Sequence, residues 1–145
     1  MPRVGLVVVS HSRPLAEAAV TLARQMLTGA DVAVEVAAGT DDGGLGTDAF
    51  AISEAIAAAD SGDGVVVLMD LGSAVLSAET ALELLDDGVR DRVLLSPGPL
   101  VEGLIGAVVV AAGGADRDRV AAEALRGLAP KQAHLGGQEG SSSVA

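Results

Sequence analysis

Two residues stand at positions typical of a nucleophile and its partner, because each comes at the end of an apolar run. His11 comes after residues 4–9 and Ser10, and Asp70 comes after residues 65–69. A neutral imidazole is a nucleophile near neutral pH, and a carboxylate beside it can keep one ring nitrogen protonated while the other attacks. The structural alternatives are a histidine that caps a strand end and an aspartate that caps the next helix. The pair predicts a site with His11 as nucleophile and Asp70 as its orienting partner.

The glycine-rich segment from Gly39 to Thr47 is the second candidate feature. Its Gly43, Gly44 and Gly46 can bring backbone N–H groups close to an anion. A dinucleotide loop and a nucleotide P-loop are both disfavoured, because the turn after the first apolar run reads Ser-His-Ser and no Gly-Lys-Ser/Thr occurs. This segment and the N-terminus of the helix after His11 are therefore predicted to bind an anion through neutral N–H donors.

Other chemistries are limited by what the chain lacks. It has no cysteine, so disulfides, thiolate metal sites and a cysteine nucleophile are excluded. Serine hydrolysis is disfavoured because no G-x-S-x-G elbow is present. A metal site of His11 with nearby aspartates is a remaining alternative, but carboxylates at loop starts more often form turns. We expect no metal and no cofactor bound by this chain, and no role for His134.

The elements around these residues alternate between strand and helix. Residues 4–9 and 65–69 are apolar without alternation, which is typical of strands buried on both faces. Shorter strands are predicted at 32–37 and 93–95, and helical periodicity is found at 15–27, 49–59, 74–85, 100–112 and 120–128. This order predicts a doubly wound α/β fold with a mainly parallel sheet flanked by helices. Ligands bind at the carboxyl ends of such strands, so His11, the glycine-rich segment and Asp70 are expected at one edge.

Composition limits the partners and the location. The chain has 145 residues, a formal net charge of −11, one Phe and no Trp or Tyr. The acidic balance disfavours nucleic acid and anionic membranes, and the lack of aromatic rings disfavours sites that stack sugars or bases. No apolar run has the length of a membrane span or the flanks of a signal peptide, so a cytoplasmic protein is expected. We predict a single domain at 1–129 and a flexible C-terminal tail at 130–145.

The segment 100–112 predicts a helix that is apolar nearly all round, with Glu102 as its one charged residue. Such a helix must be buried on two sides, either within the chain or against a second copy. A homodimer is therefore expected.

Four motifs in order resemble a known family. They read VVVSHS at 7–12, GTDDGGLGT at 39–47, MDLGSA at 69–74 and PLVEG at 99–103. They resemble the DhaM family, the phosphoryl-carrier subunits of phosphotransferase-dependent dihydroxyacetone kinases, and more distantly the mannose-class IIA phosphotransferase domains. Four motifs in sequence make this resemblance more specific than any one of them.

The resemblance implies that His11 is the phosphorylated histidine and that Asp70 is the carboxylate beside it. It implies a relay from phosphoenolpyruvate through enzyme I and HPr to this histidine, and then to ADP on the subunit DhaL. DhaL would act with DhaK to phosphorylate dihydroxyacetone, so ADP and ATP are held by the partner. A homodimer is also implied. Contacts with the phosphoryl group or a partner are expected from Ser10, Ser12, Gly39, Thr40, Gly43, Gly44, Gly46, Thr47, Gly72 and Ser73.

The main alternative comes from a different class of enzyme. The first strand followed by His11, Ser12 and Arg13 also resembles the start of small sirohydrochlorin or cobalt chelatases, which insert a metal into a tetrapyrrole. Those enzymes use a second histidine in the cleft, and here the one further histidine is His134, in a different region. A binding module that has the same fold and no phosphorylation is the third interpretation.

Overall fold

A computed structural model describes residues 3–27 and 31–139 of the chain, with side chains to residue 136. The strands are β1 (Gly5–Ser10), β2 (Val34–Ala38), β3 (Val65–Met69) and β4 (Val93–Ser96). The helices are α1 (Arg13–Arg24), α2 (Ala49–Ala59), α3 (Gly72–Glu83), α4 (Asp87–Arg90), α5 (Leu100–Ala112), α6 (Arg117–Leu125) and α7 (Ala129–Glu139), with a 3₁₀ turn at Arg126–Leu128 between the last two. The predicted alternation of strands and helices is confirmed.

The sheet has the strand order β2-β1-β3-β4, and all three neighbouring pairs are parallel. Every residue of β1 and β3 is buried, as expected for central strands covered on both faces. Along β1, Leu6 and Val8 point into one core and Val7 and Val9 into the other, because successive side chains alternate across the sheet. The unbroken apolar sequence therefore serves two cores at once.

Helices cover both faces of this sheet. Buried residues of α1, α5 and α6 pack with one face, and buried residues of α2 and α3 pack with the other. The chain winds outward from β1 to β2 and then crosses back to β3, so the winding reverses between β1 and β3. The fold is the predicted doubly wound α/β class, and this reversal point is where such folds bind ligands.

One face of the apolar helix α5 is covered within the chain. Leu104, Ala107, Val108 and Ala111 are fully buried among the sheet, α1 and α6. Val101 and Val109 of the same helix remain 37% and 48% exposed, so the homodimer stays a prediction. No helix in the described part of the chain, α5 included, is long and apolar enough to cross a membrane.

The prediction of a flexible tail from residue 130 was wrong for its first part, because α7 occupies Ala129–Glu139. Pro130 lies in the first turn of α7, where a proline needs no hydrogen-bond partner for its nitrogen. Lys131 forms a salt bridge with Glu102 of α5, which attaches the start of α7 to the domain. Residues 140–145 of the predicted tail lie outside the described residues.

Small residues allow the elements to approach closely. A Cβ atom added to Gly5, at the start of β1, would lie well inside van der Waals contact with the carbonyl oxygen of Ala59 at the end of α2. The same atom added to Gly88 of α4 would meet only the side chain of Arg92, at 3.9 Å. The two glycines therefore differ in the space around them.

Gly5→Ala should lower the free energy of unfolding by about 1–3 kcal/mol, because backbone atoms must move to admit the methyl group. Gly88→Ala is the matched control, and it should leave stability unchanged or raise it by up to about 1 kcal/mol through better helix propensity. Urea unfolding of both variants tests this. Equal stability of Gly5→Ala and the wild type would contradict the close packing of β1 against α2.

Candidate functional site

His11 and Asp70 meet directly at the carboxyl edge of the sheet. Val9 of β1 lies opposite Met69 of β3 in the parallel register, so the chain leaves both strands at the same level. The Nδ1 atom of His11 lies 2.9 Å from Oδ1 of Asp70. An ionised carboxylate can only accept, so the shared proton is on Nδ1, and in the neutral imidazole Nε2 then carries a lone pair. The imidazole is thus oriented with Nε2 as its nucleophilic atom.

The carboxylate of Asp70 is saturated with hydrogen-bond donors. Its Oδ1 accepts from the His11 ring at 2.9 Å and from the Leu71 N–H at 2.7 Å. Its Oδ2 accepts from the Ser10 hydroxyl at 2.8 Å and from the His11 N–H at 3.0 Å. Burial by itself raises the pKa of Asp70, but these hydrogen bonds outweigh burial and hold the pKa below its ordinary value of 3.8. Asp70 is therefore ionised at neutral pH.

The first turn of α3 lies against the other side of the imidazole. The Ser73 hydroxyl is within hydrogen-bond contact of Nε2, and it must be the donor because Nε2 carries the lone pair. Leu71, at the N-cap of α3, provides no side-chain cap. Among the described residues, the N–H groups of Gly72 and Ser73 have no acceptor. An anion on Nε2 would meet these donors and the positive end of the helix dipole.

The glycine-rich segment is placed beside His11, but the N–H groups of its glycines and of Thr40 are already used. Gly46 donates to the His11 carbonyl at 2.9 Å and Gly39 donates to the Ser10 carbonyl at 3.2 Å. Within the segment, Thr40 donates to the Gly44 carbonyl, Gly43 to the Thr40 carbonyl and Gly44 to the Asp42 carboxylate. The prediction that Gly39, Thr40, Gly43, Gly44 and Gly46 supply free N–H donors was therefore wrong. Their contact with a partner stays a prediction.

The hydroxyl groups predicted to line the site differ in their environments. Ser12 is the N-cap of α1, and its hydroxyl accepts from the Leu15 N–H at 3.3 Å, so this helix start is already capped. Thr47 is hydrogen bonded to Ser77 of α3 at 2.6 Å, which joins the glycine-rich segment to that helix. Ser10 is fully buried, so the prediction that it touches a phosphoryl group or a partner was wrong.

Exposed apolar side chains near His11 were not identified from the sequence. Leu45 is 79% exposed and precedes Gly46, which bonds the His11 carbonyl. Leu71 is 65% exposed and follows Asp70, and Leu76 is 66% exposed one turn after Ser73. Apolar residues in a glycine-rich turn and at a helix start were the signal that could have found them. A partly apolar rim of this kind is typical of protein docking sites.

A chelatase site is not supported by the position of the second histidine. His134 is exposed on α7, which packs against the preceding 3₁₀ turn. Within residues 3–27 and 31–139, no group of three His, Asp or Glu residues is arranged to hold a metal ion. The chelatase alternative therefore has no support in the described part of the chain.

Comparisons with known proteins agree with this fold. The family model described as the PTS system fructose IIA component matches residues 5–121. A crystal structure of the unknown function protein EF1359 superposes with a TM-score of 0.76 and 33% identity, covering 86% of this chain and 94% of that one. Fold, site and family match thus define one class of protein, the IIA components of phosphotransferase systems.

Individual relatives show which family within this class the chain belongs to. The phosphoryl donor subunit DhaM of the PEP-dependent dihydroxyacetone kinase of Pantoea ananatis is 53% identical over 92% of this chain, and that of Escherichia coli is 49% identical over the same share. A Listeria innocua DhaM subunit is 40% identical over 73% of this chain and 84% of its own length. The chain therefore belongs to the DhaM family. It spans 28% and 29% of the lengths of the first two relatives.

Asp70→Asn should destabilise the fold, because the amide places an NH₂ group where either oxygen now accepts two donors. We expect a loss of about 1–3 kcal/mol at pH 7, measured by urea unfolding. Since the pKa of Asp70 is lowered in the folded chain, the stabilisation by its ionised form is present above its ordinary value of 3.8 and is lost as the pH falls through the folded-state value. The difference between wild type and variant should shrink on acidification. A difference that is absent at pH 7, or that grows on acidification, would contradict this assignment.

Proposed function

We propose that this chain is a histidine phosphoryl carrier. It accepts a phosphoryl group on Nε2 of His11 from the phosphorylated form of HPr, and passes it to ADP bound on DhaL. DhaL acts with DhaK to phosphorylate dihydroxyacetone, and phosphoenolpyruvate is the ultimate donor. The observation that carries this proposal is the hydrogen bond from His11 Nδ1 to Asp70, which leaves the Nε2 lone pair available. The printed names of the relatives support the donor role.

The transfer consists of two displacements at phosphorus. In the first, the Nε2 lone pair attacks, the Nε2–P bond forms, and the P–N bond to the donor histidine breaks with its electron pair remaining on the donor. The ring of His11 gains positive charge, and Asp70 stabilises it at Nδ1. In the second, a terminal phosphate oxygen of ADP attacks the phosphorus, and the electrons of the Nε2–P bond return to Nε2.

The first turn of α3 is the proposed binding site for the phosphoryl oxygens. The Ser73 hydroxyl must rotate away from Nε2 before attack, and it can then donate to a phosphoryl oxygen together with the Gly72 and Ser73 N–H groups. Arg13, the cation nearest to His11 in sequence, forms a salt bridge with Glu17. Neutral donors bind the phosphoryl group less tightly than a fixed cation would, which suits a carrier that must also release it.

Docking of the protein partners is proposed at the rim around His11. Leu45, Leu71 and Leu76 offer apolar contact area around the nucleophile. The net charge of −11 favours a partner whose facing surface is basic. Of the residues predicted from sequence, Gly39, Thr40, Gly43, Gly44 and Thr47 belong to the segment that borders this rim.

His11→Ala should abolish phosphoryl uptake and leave the fold intact. Intact mass is measured after incubation with phosphoenolpyruvate, enzyme I and HPr, and wild type should gain one phosphoryl group. His134→Ala is the matched control because it removes the other histidine, and it should be phosphorylated at the wild-type rate. Asp70→Asn should be phosphorylated about ten- to a thousandfold more slowly. Normal uptake by His11→Ala, or no uptake by wild type, would refute the carrier function.

We also propose that the chain is a homodimer, as the family resemblance implies. Sedimentation at micromolar concentration should give twice the mass of the chain. A single-chain mass at that concentration would contradict this, and the exposed Val101 and Val109 of α5 would then face water.

A further inference from the structure

We propose that Ser10 is a positioning residue, whose buried hydroxyl holds the carboxylate of Asp70 in the orientation that directs His11. This role rests on the proposed carrier function, in which Asp70 orients and stabilises the imidazole. The hydroxyl would act only through Asp70, since Ser10 is 0% exposed and cannot reach the phosphoryl group.

The direction of each hydrogen bond at Ser10 follows from its neighbours. The Ser12 N–H lies 3.0 Å from the Ser10 oxygen, and a backbone N–H can only donate. The Ser10 oxygen is therefore the acceptor of that bond, and its own proton is free to point to Asp70 Oδ2 at 2.8 Å. The ionised carboxylate can only accept. One hydroxyl orientation thus satisfies both partners.

Ser10 supplies the one hydrogen bond to Asp70 that a side-chain substitution can remove without changing the nucleophile. Of the four donors to this carboxylate, two are backbone N–H groups and one is the nucleophilic ring itself. Without the Ser10 hydroxyl, Oδ2 would keep only the His11 N–H. The carboxylate could then rotate about its Cβ–Cγ bond, and Oδ1 would move relative to Nδ1. Groups that support a reacting residue typically contribute ten- to a hundredfold to its activity.

The strand itself does not need a hydroxyl at this position. The rest of β1 consists of glycine and apolar residues, and burying a polar group has a cost unless it is hydrogen bonded. The Ser12 N–H, on a half-buried residue, could be satisfied by water instead. An alanine would therefore serve packing adequately. Contact with Asp70 is the function that remains for the hydroxyl.

Ser96 provides a matched control at the end of another strand. It is the last residue of β4, it is 3% exposed, and its hydroxyl oxygen accepts from the N–H two residues ahead, that of Gly98, at 3.1 Å. Ser10 accepts from the N–H of Ser12 in the same way. The two serines share burial and turn geometry, and they differ in the bond to Asp70. An effect of Ser10→Ala that exceeds the effect of Ser96→Ala therefore measures the loss of the hydrogen bond to Asp70.

The first measurement is the single-turnover rate of transfer from phosphorylated HPr, with urea unfolding of each variant. Ser10→Ala should slow transfer about ten- to a hundredfold while Ser96→Ala transfers at the wild-type rate. Ser10→Thr retains the hydroxyl and should recover most of the rate. If it does not fold, the two alanine variants decide the question by themselves. Equal rates for both alanine variants would overturn the proposal.

The second measurement is independent of phosphoryl transfer. Titration of the Asp70 carboxyl carbon by NMR should show its pKa raised in Ser10→Ala, because one hydrogen bond to the ionised form is lost, and unchanged in Ser96→Ala. An unchanged pKa in Ser10→Ala would overturn the proposal. If wild type accepts no phosphoryl group although the pKa rises in Ser10→Ala, the carrier function fails while the control of Asp70 by Ser10 stands.

Discussion

The site depends on β1 and β3 ending side by side. These strands are neighbours in parallel register, so His11 and Asp70 leave the sheet at one level and their side chains meet. Neither strand can shift by one residue without turning its apolar side chains from one core to the other. Both strands are buried on both faces, which makes such a shift costly. The two hydrophobic cores therefore determine where the imidazole is held and which of its nitrogens is available.

The proposed anion site lies at the start of α3. The start of α1 is capped by Ser12, and the glycines of the glycine-rich segment use their N–H groups for its own turn and for the carbonyls of Ser10 and His11. The start of α3 has no side-chain cap and lies against Nε2. A helix start left without a cap is less stable by itself, but its N–H donors are available to an anion, as the proposed phosphoryl transfer requires. The glycine-rich segment then acts as a support that packs against the backbone of His11.

The composition of the chain is consistent with this arrangement. Glycine and alanine let helices approach the sheet and each other closely, as at Gly5 against Ala59 and at Gly103 against Ala124. Close packing of small residues fills both cores without aromatic side chains. The larger apolar residues Leu45, Leu71 and Leu76 remain at the surface around His11, where a partner protein can contact them.

The amino-acid sequence by itself determined the fold class and the central pair of the site. Uninterrupted apolar runs predict buried parallel strands, and the carboxyl ends of such strands converge, so His11 and Asp70 could be placed together without coordinates. Only the tertiary structure decided which polar groups are already paired. Ser10 and Asp70 are 60 positions apart, and Glu102 and Lys131 meet only when the fold brings the start of α7 to α5. A hydrogen bond between distant residues depends on where the fold brings them, and local sequence carries no information on that contact. For this reason the glycine-rich segment looked like an anion site, Ser10 like a ligand contact and α7 like a flexible tail.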